Sequence, residues 1–156
     1  EVEVVSIEKK ALADRKLYEE KTVSGMEFLE RNSILRAKQQ VIEQAIDKAR
    51  ESIAGLNDEE YFNVLEKLLR KNVQQGKGKI CFSKKDLDRI PNGFEDRVKV
   101  IVAENQGELV IDKEPANIKD GFVLVYGEIE ENCTLKALFD SNIDRIKDIA
   151  NKQLFG

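Results

Sequence analysis

The sequence predicts an α+β chain: a long N-terminal helix of the right-handed coiled-coil type over residues 1–56, then a small mixed α/β domain over residues 57–156. Three observations carry that prediction. The first 56 residues contain no Pro and, before Gly55, only one Gly, Gly25. At Gly55 a thin apolar pattern among dense charges gives way to a helix-restart signal. Residues 120–139, DGFVLVYGEIEENCTLKALF, then read as a buried strand, a tight turn at Gly127, a second strand and a helix start.

The N-terminal helix shows its period in two columns. At an 11-residue step Leu12, Val23, Ile34, Ala45 and Leu56 are all apolar, and Ile7, Tyr18 and Leu29 form a second column that fails at Gln40. A 7-residue column, Phe28, Leu35, Ile42, Ala49 and Leu56, is equally good later but meets Lys21 and Asp14 going backward. An 11-residue repeat corresponds to about 3.67 residues per turn and a right-handed supercoil, a 7-residue repeat to a left-handed one. The longer span favours the first. The stripe is thin and rich in Ala, so the helix needs a partner to bury it. A helix of 56 residues would extend about 80 Å, far beyond a domain of about 100 residues. Thr22-Val23-Ser24-Gly25 is a poor helical patch, with Gly alone costing about 1 kcal/mol relative to Ala, so a bend or frayed segment is expected there. Val2, Val4 and Val5 are β-branched, and the first ten residues are expected to be non-helical in isolation. The chain starts at Glu1 in mid-pattern, with no apolar targeting segment, which leads to the expectation of a trimmed chain or proteolytic fragment.

In the second part Asn57 caps a helix with Glu60 at the capping-box position, and Leu56 can staple onto Tyr61. Tyr61, Phe62, Leu65, Leu68 and Leu69 form its apolar face. Lys79 to Phe82 reads as a short strand. Ser83, with Asp86 three residues on, caps a short helix carrying Leu87 and Ile90, which Pro91 ends. Phe94, Val98, Ile101 and Val102 mark another helix before Gly107. Leu109 to Ile111 and Phe122 to Tyr126 read as strands, the second too apolar to face water on either side. Ile129 to Cys133 follows the Gly127 turn. Thr134 then caps one final helix with the stripe Leu135, Leu138, Phe139, Ile146, Ile149 and Leu154.

Composition narrows the function classes. Net charge is −4, and residues 1–75 and 76–156 each carry 13 basic and 15 acidic side chains. Nucleic-acid binding needs a concentrated positive footprint, and none stands out. The acidic balance also argues against a polybasic membrane anchor. No apolar run approaches the roughly 20 residues that span a bilayer. The chain has no His, which removes His-based metal sites and every Ser–His or Cys–His nucleophile. Cys81 and Cys133 lack metal spacing and fall in strands; reduced, buried thiols are expected, with one long-range disulfide as the alternative.

Two segments resemble chemistry. Gly76-Lys77-Gly78-Lys79 could pass for a phosphate loop, but no Ser or Thr follows the lysine and a strand follows rather than a helix, so a plain loop is expected. Glu128, Glu130 and Glu131 could hold a metal, yet no further ligands stand at fixed offsets, and a solvated hairpin face is expected instead. Asn57-Asp58-Glu59-Glu60 is explained as a helix cap rather than a ligand set.

The DGFVLVYGEIEENC block resembles the C-terminal block of the E subunit of the V-type rotary ATPases, vacuolar, archaeal-type and bacterial, where a "GGFILVYGDIEENC"-like hairpin runs into a terminal amphipathic helix. Residues 37–43, AKQQVIE, are similar to the family's "AKQELID"-type segment, and Leu154-Phe155-Gly156 to its short apolar ending. The resemblance covers roughly residues 22–156 and implies a non-catalytic peripheral-stalk, or stator, component, cytoplasmic and peripheral on a membrane-bound complex. It implies a right-handed coiled coil with a small helical subunit of the G or H type. It also implies a globular end docked on the catalytic A/B head, resisting torque during ATP-coupled proton or sodium transport. The partner-helix interface then falls to Leu12, Val23, Ile34, Leu35, Val41, Ile42 and Ala45. The docking-domain core and hairpin fall to Phe122, Leu124, Tyr126, Gly127, Ile129, Leu135 and Phe139. ATP is bound by the A and B subunits, so the resemblance implies no cofactor, metal or catalytic residue here, no nucleic acid and no membrane insertion. Two positions depart from the family pattern: Asp120 stands where many relatives have a second Gly, which reduces the backbone freedom expected there, and Leu138 stands where archaeal and eukaryotic members often carry an Arg after an Asn-Thr pair, so a head contact through that arginine is not implied here. The alternative is a freestanding homodimeric coiled-coil scaffold, which would be stable without a partner, whereas an isolated stator chain would fray or self-associate.

Overall fold

The computed structural model describes residues 2–156; Glu1, where a trimmed terminus was expected, lies outside the described residues. In chain order the elements are α1 (Val2–Ala54), α2 (Asp58–Asn72), β1 (Gly76–Phe82), α3 (Lys84–Leu87), α4 (Phe94–Ala103), β2 (Gly107–Ile111), β3 (Phe122–Tyr126), β4 (Ile129–Cys133), α5 (Leu135–Ser141) and α6 (Ile143–Phe155). A long N-terminal helix is thus followed by a small mixed α/β domain. Two compact units divide at residues 44 and 45, inside α1.

The first unit is helix throughout its described residues. Neither the Val-rich start nor Gly25 interrupts α1, so the frayed segment expected at 22–25 does not form. Thr22 donates its hydroxyl to the Tyr18 carbonyl at 2.8 Å, and Ser6 to the Glu3 carbonyl at 3.1 Å. β-Branched residues cost only tenths of a kcal/mol each, which flanking Leu, Glu and Lys offset.

The second unit is built on a four-stranded sheet of order β2-β1-β3-β4. β1 runs parallel to β2 and antiparallel to β3, and β3 is antiparallel to β4. The parallel pair needs a crossover, which α3 and α4 supply. Asn57 caps α2 by accepting from the Glu60 N–H at 2.9 Å, while its own amide donates to the Glu60 carboxylate at 2.8 Å. The five apolar residues read as the face of α2 are its buried residues. They meet Ile80, Phe82, Phe94, Phe122 and Leu124 in one core. Four rings interlock there edge to face or tilted: Phe62 lies 4.8 Å from Phe94 and 6.0 Å from Phe82, and Phe82 lies 6.0 Å from Phe122.

Four sequence expectations are corrected. β1 begins at Gly76, so the GKGK stretch is strand rather than loop; pairing Gly76 with Gly107 through Ile80 with Ile111 extends it. A Cβ at Gly78 would meet the Tyr126 ring and the Val125 carbonyl at 2.6 Å, so this strand glycine is a close-approach position. α3 stops at Leu87, leaving Ile90 outside. On β3, Phe122 and Leu124 are buried while Val123 and Val125 are half-buried, so only one face of the strand is fully covered. The final helix is two helices. At Asn142 the backbone N–H turns to the Phe139 carbonyl at 3.2 Å, and its side-chain amide takes the Leu138 carbonyl at 2.9 Å that a continuing helix would have used.

A buried polar joint ties these parts together. The Tyr61 hydroxyl, on α2, donates to Asp86 Oδ2 at 3.0 Å and accepts from the Gly121 N–H at 2.8 Å. Burial, reinforced by the Asp86 carboxylate, pushes its pKa well above the ordinary tyrosine range, so it stays a phenol that can donate. Arg89 covers the Tyr61 ring at 4.1 Å and pairs with Asp86 at 2.8 Å and Asp58 at 3.3 Å. One residue away, buried Asp120 accepts the Leu135 N–H at 3.1 Å, and Thr134 accepts the Ala137 N–H at 3.2 Å. Both bonds satisfy free donors of the first turn of α5.

Tyr61→Phe strands the Asp86 oxygen and the Gly121 N–H in the core. We expect a loss of about 1–3 kcal/mol in urea unfolding. Gly121 has φ +72, and a Cβ there would lie 2.6 Å from the Cys133 carbonyl oxygen and from Thr134 Cα. Gly127 has φ +62 but open space around it. Gly121→Ala should therefore cost markedly more than Gly127→Ala, whose penalty is about 1–2 kcal/mol from backbone conformation alone. Equal midpoint shifts in thermal unfolding would refute the close-packing account.

Candidate interaction surfaces

The apolar stripe of α1 is uncovered over most of its length. Leu12, Val23 and Ile34 are 72%, 55% and 51% exposed, Leu35 and Val41 are also exposed, Ala45 is half-buried and Ile42 is buried. The second column, Ile7, Tyr18 and Leu29, is exposed too. Eleven residues rise about 16 Å along a helix while completing about three turns, so each column stays close to one face. Charges line the same helix as exposed pairs, Arg15 with Glu19 at 3.3 Å and Arg31 with Glu27 at 3.6 Å. Such pairs support helicity by only a few tenths of a kcal/mol. They add solubility but do not cover the stripe.

In the second unit Phe122, Leu124 and Leu135 are fully buried, and Phe139 nearly so. Tyr126 is half-buried: its ring lies against Gly78 and its hydroxyl accepts the Gln74 N–H at 3.1 Å. Gly127 and Glu128 make the turn between paired Tyr126 and Ile129. Ile129 is 59% exposed, so it stands on the hairpin surface outside the core. Tyr61, Asp86, Arg89 and Asp120 position the hairpin and were not singled out from sequence for that role. The available signals were a Tyr within an otherwise aliphatic and Phe face, and the Asp-Gly pair opening β3.

The groups that resembled chemistry are engaged in architecture. The backbone of residues 76–79 is committed to ladder pairing, so it cannot converge on a phosphate. Lys77 pairs with Glu108 at 3.2 Å and Lys79 with Asp112 at 2.9 Å. The Lys79–Asp112 hydrogen bond raises the lysine pKa and lowers that of the carboxyl. Glu128 and Glu130 are exposed, and no group of three or more His, Cys, Asp or Glu among the described residues could hold a metal ion. Both cysteines are free. Burial pushes the Cys133 thiol up to about 12 and also raises Cys81, so neither is a thiolate at neutral pH. No helix among the described residues is long and apolar enough to cross a membrane.

Known proteins share this arrangement of sequence. The family model described as ATP synthase (E/31 kDa) subunit matches residues 3–155. The V-type ATP synthase E subunit of Clostridium botulinum (strain Hall) is 30% identical over 138 residues, covering 87% of this chain and 69% of that protein. The V-type proton ATPase E subunit of Clostridium botulinum (strain 657) is 31% identical over 143 residues with the same coverage. The V-type ATP synthase E subunit of Acetivibrio thermocellus is 29% identical over 103 residues, covering 65% of this chain and 52% of that protein. With the family match spanning nearly every residue of both units, the chain belongs to the ATP synthase (E/31 kDa) subunit family, the E subunits of V-type ATP synthases.

Proposed function

We propose that this chain is a non-catalytic peripheral-stalk component that links a catalytic A/B head to the membrane sector and resists torque during ATP-coupled proton or sodium transport. The observation that carries the reading is a 53-residue helix whose 11-residue apolar columns stand exposed from Ile7 through Ile34. A lone helix with a thin apolar stripe gains little from burial, and most helical stability in proteins comes from packing that stripe against something. In this reading a small helical subunit of the G or H type covers the exposed Leu12, Val23, Ile34, Leu35 and Val41 as a right-handed coil and closes over the half-buried Ala45, whereas Ile42 is already buried within the chain. The second unit, with its hairpin held by the Tyr61 joint, docks on the head. The chain would sit on the cytoplasmic side, peripheral on the complex. Stiffness, length and a rigid docking end serve a strut, and none of these requires a reactive side chain.

Co-purification from the native host with mass-spectrometric identification tests the reading. A small helical chain together with A- and B-type ATPase subunits is expected; recovery of neither would defeat it. Sedimentation of the purified chain separates this from the homodimeric scaffold, which predicts one stable dimer with α1 fully helical that gains nothing from added partner. Val23→Asp combined with Ile34→Asp should abolish recovery of the helical partner. Both residues are exposed, so the thermal midpoint of the second unit should not move.

A further inference from the structure

The second unit contains a cavity of about 310 Å³ that the hairpin core does not use, lined by Arg50, Ile118, Lys119, Asp120, Thr134 and Lys136. Three cations surround one carboxylate there, a local reversal of sign in a chain of net charge −4. The cations are only loosely committed. Arg50 pairs with Asp47 at 3.1 Å and Lys136 with Asp140 at 2.5 Å, each along its own helix and with an exposed carboxylate. Exposed pairs of this kind contribute little and exchange readily for a better-placed anion. Lys119 is exposed and makes no ion pair among the described residues. Asp120 is buried and spends one oxygen on the Leu135 N–H, which fixes that wall of the cavity.

We propose that this cavity receives an acidic side chain, Glu or Asp, from a neighbouring subunit of the complex; the proposal rests on the docking reading above. The chemistry favours a carboxylate over a phosphate. Phosphate cradles use converging backbone N–H groups, and here the N–H groups of Leu135 and Ala137 are already taken by Asp120 and Thr134. The Asp120 carboxylate on the wall repels a dianion more strongly than a monoanion. Arg50 offers a planar fork that matches a carboxylate, and Ile118 gives an apolar surface for the methylene stem of the incoming residue.

Zero-length carbodiimide coupling of the purified native complex tests the proposal directly. The expected product joins Lys119 or Lys136 to a Glu or Asp of another subunit. Recovery of both lysines uncoupled, or coupled only within their own chain, overturns it. Couplings between α1 and a small helical chain in the same digest report on the stalk reading separately. In reassembly, Lys119→Glu with Lys136→Glu should weaken binding to the rest of the complex by roughly tenfold at low salt, with the difference shrinking as salt rises. Lys119→Arg with Lys136→Arg should bind as the parent chain does. Unchanged binding of the reversed variant overturns the proposal. So does binding of the isolated chain to inorganic phosphate or to anionic phospholipid vesicles that the reversed variant loses, because that outcome assigns the cavity to a phosphate.

Discussion

The second unit depends on the hydroxyl of Tyr61. One oxygen joins three segments distant in sequence: α2 through its own backbone, α3 through Asp86, and the start of β3 through Gly121. A hydroxyl at this point solves two burial problems together, since both a carboxylate oxygen and a backbone N–H would otherwise lie unsatisfied in an apolar interior. The Arg89 guanidinium completes the solution by neutralising Asp86 and stacking on the Tyr61 ring. Next to Gly121, Asp120 in turn accepts the Leu135 N–H, so the joint is continuous along the chain with the entry of α5.

The two units have opposite energetic characters. The second has a closed core: the rings of Tyr61, Phe62, Phe82, Phe94 and Phe122, with Leu65, Leu69, Ile80, Val98, Ile101, Leu124 and Leu135, sit nearly free of solvent. In α1 the large apolar residues from Val2 through Leu35 remain largely in water. Hydrophobic stabilisation is proportional to apolar area removed from water, so the first unit has gained little of it. A helix in that condition is stabilised chiefly by whatever covers it, which is the physical content of the strut reading.

Residues that invited a catalytic reading illustrate how context assigns chemistry. GKGK has the composition of an anion loop, but a parallel neighbour consumes its backbone and two acids neutralise its lysines. The carboxylates of the hairpin face solvent without a convergent set of ligands. The cations of the Arg50–Lys119–Lys136 cavity carry no motif at all in the sequence, because they come from three segments and meet only when the loop before β3 packs beside the start of α5.

By itself the sequence determined the long helix, the caps at Asn57, Ser83 and Thr134, the buried face of α2 and the limits of β3 and β4. Each is encoded within one or two turns or strand repeats, where side-chain spacing acts directly on the nearby backbone. The exposed 11-residue columns were legible for the same reason. Tertiary structure alone decided the rest. β1 begins at Gly76 because β2, some 30 residues on, offers a parallel edge, and Gly78 is small because Tyr126 lies against it. Tyr61 reads locally as one more core aromatic; its partners lie 25 and 60 residues away. The break at Asn142 turns on the Leu138 carbonyl being taken by the Asn142 side-chain amide and the Ser141 hydroxyl rather than by the next backbone N–H, a choice that helix periodicity does not register. Local hydrogen-bond chemistry and hydrophobic period are written in neighbouring residues, whereas pairing across the core depends on which distant groups folding brings within reach.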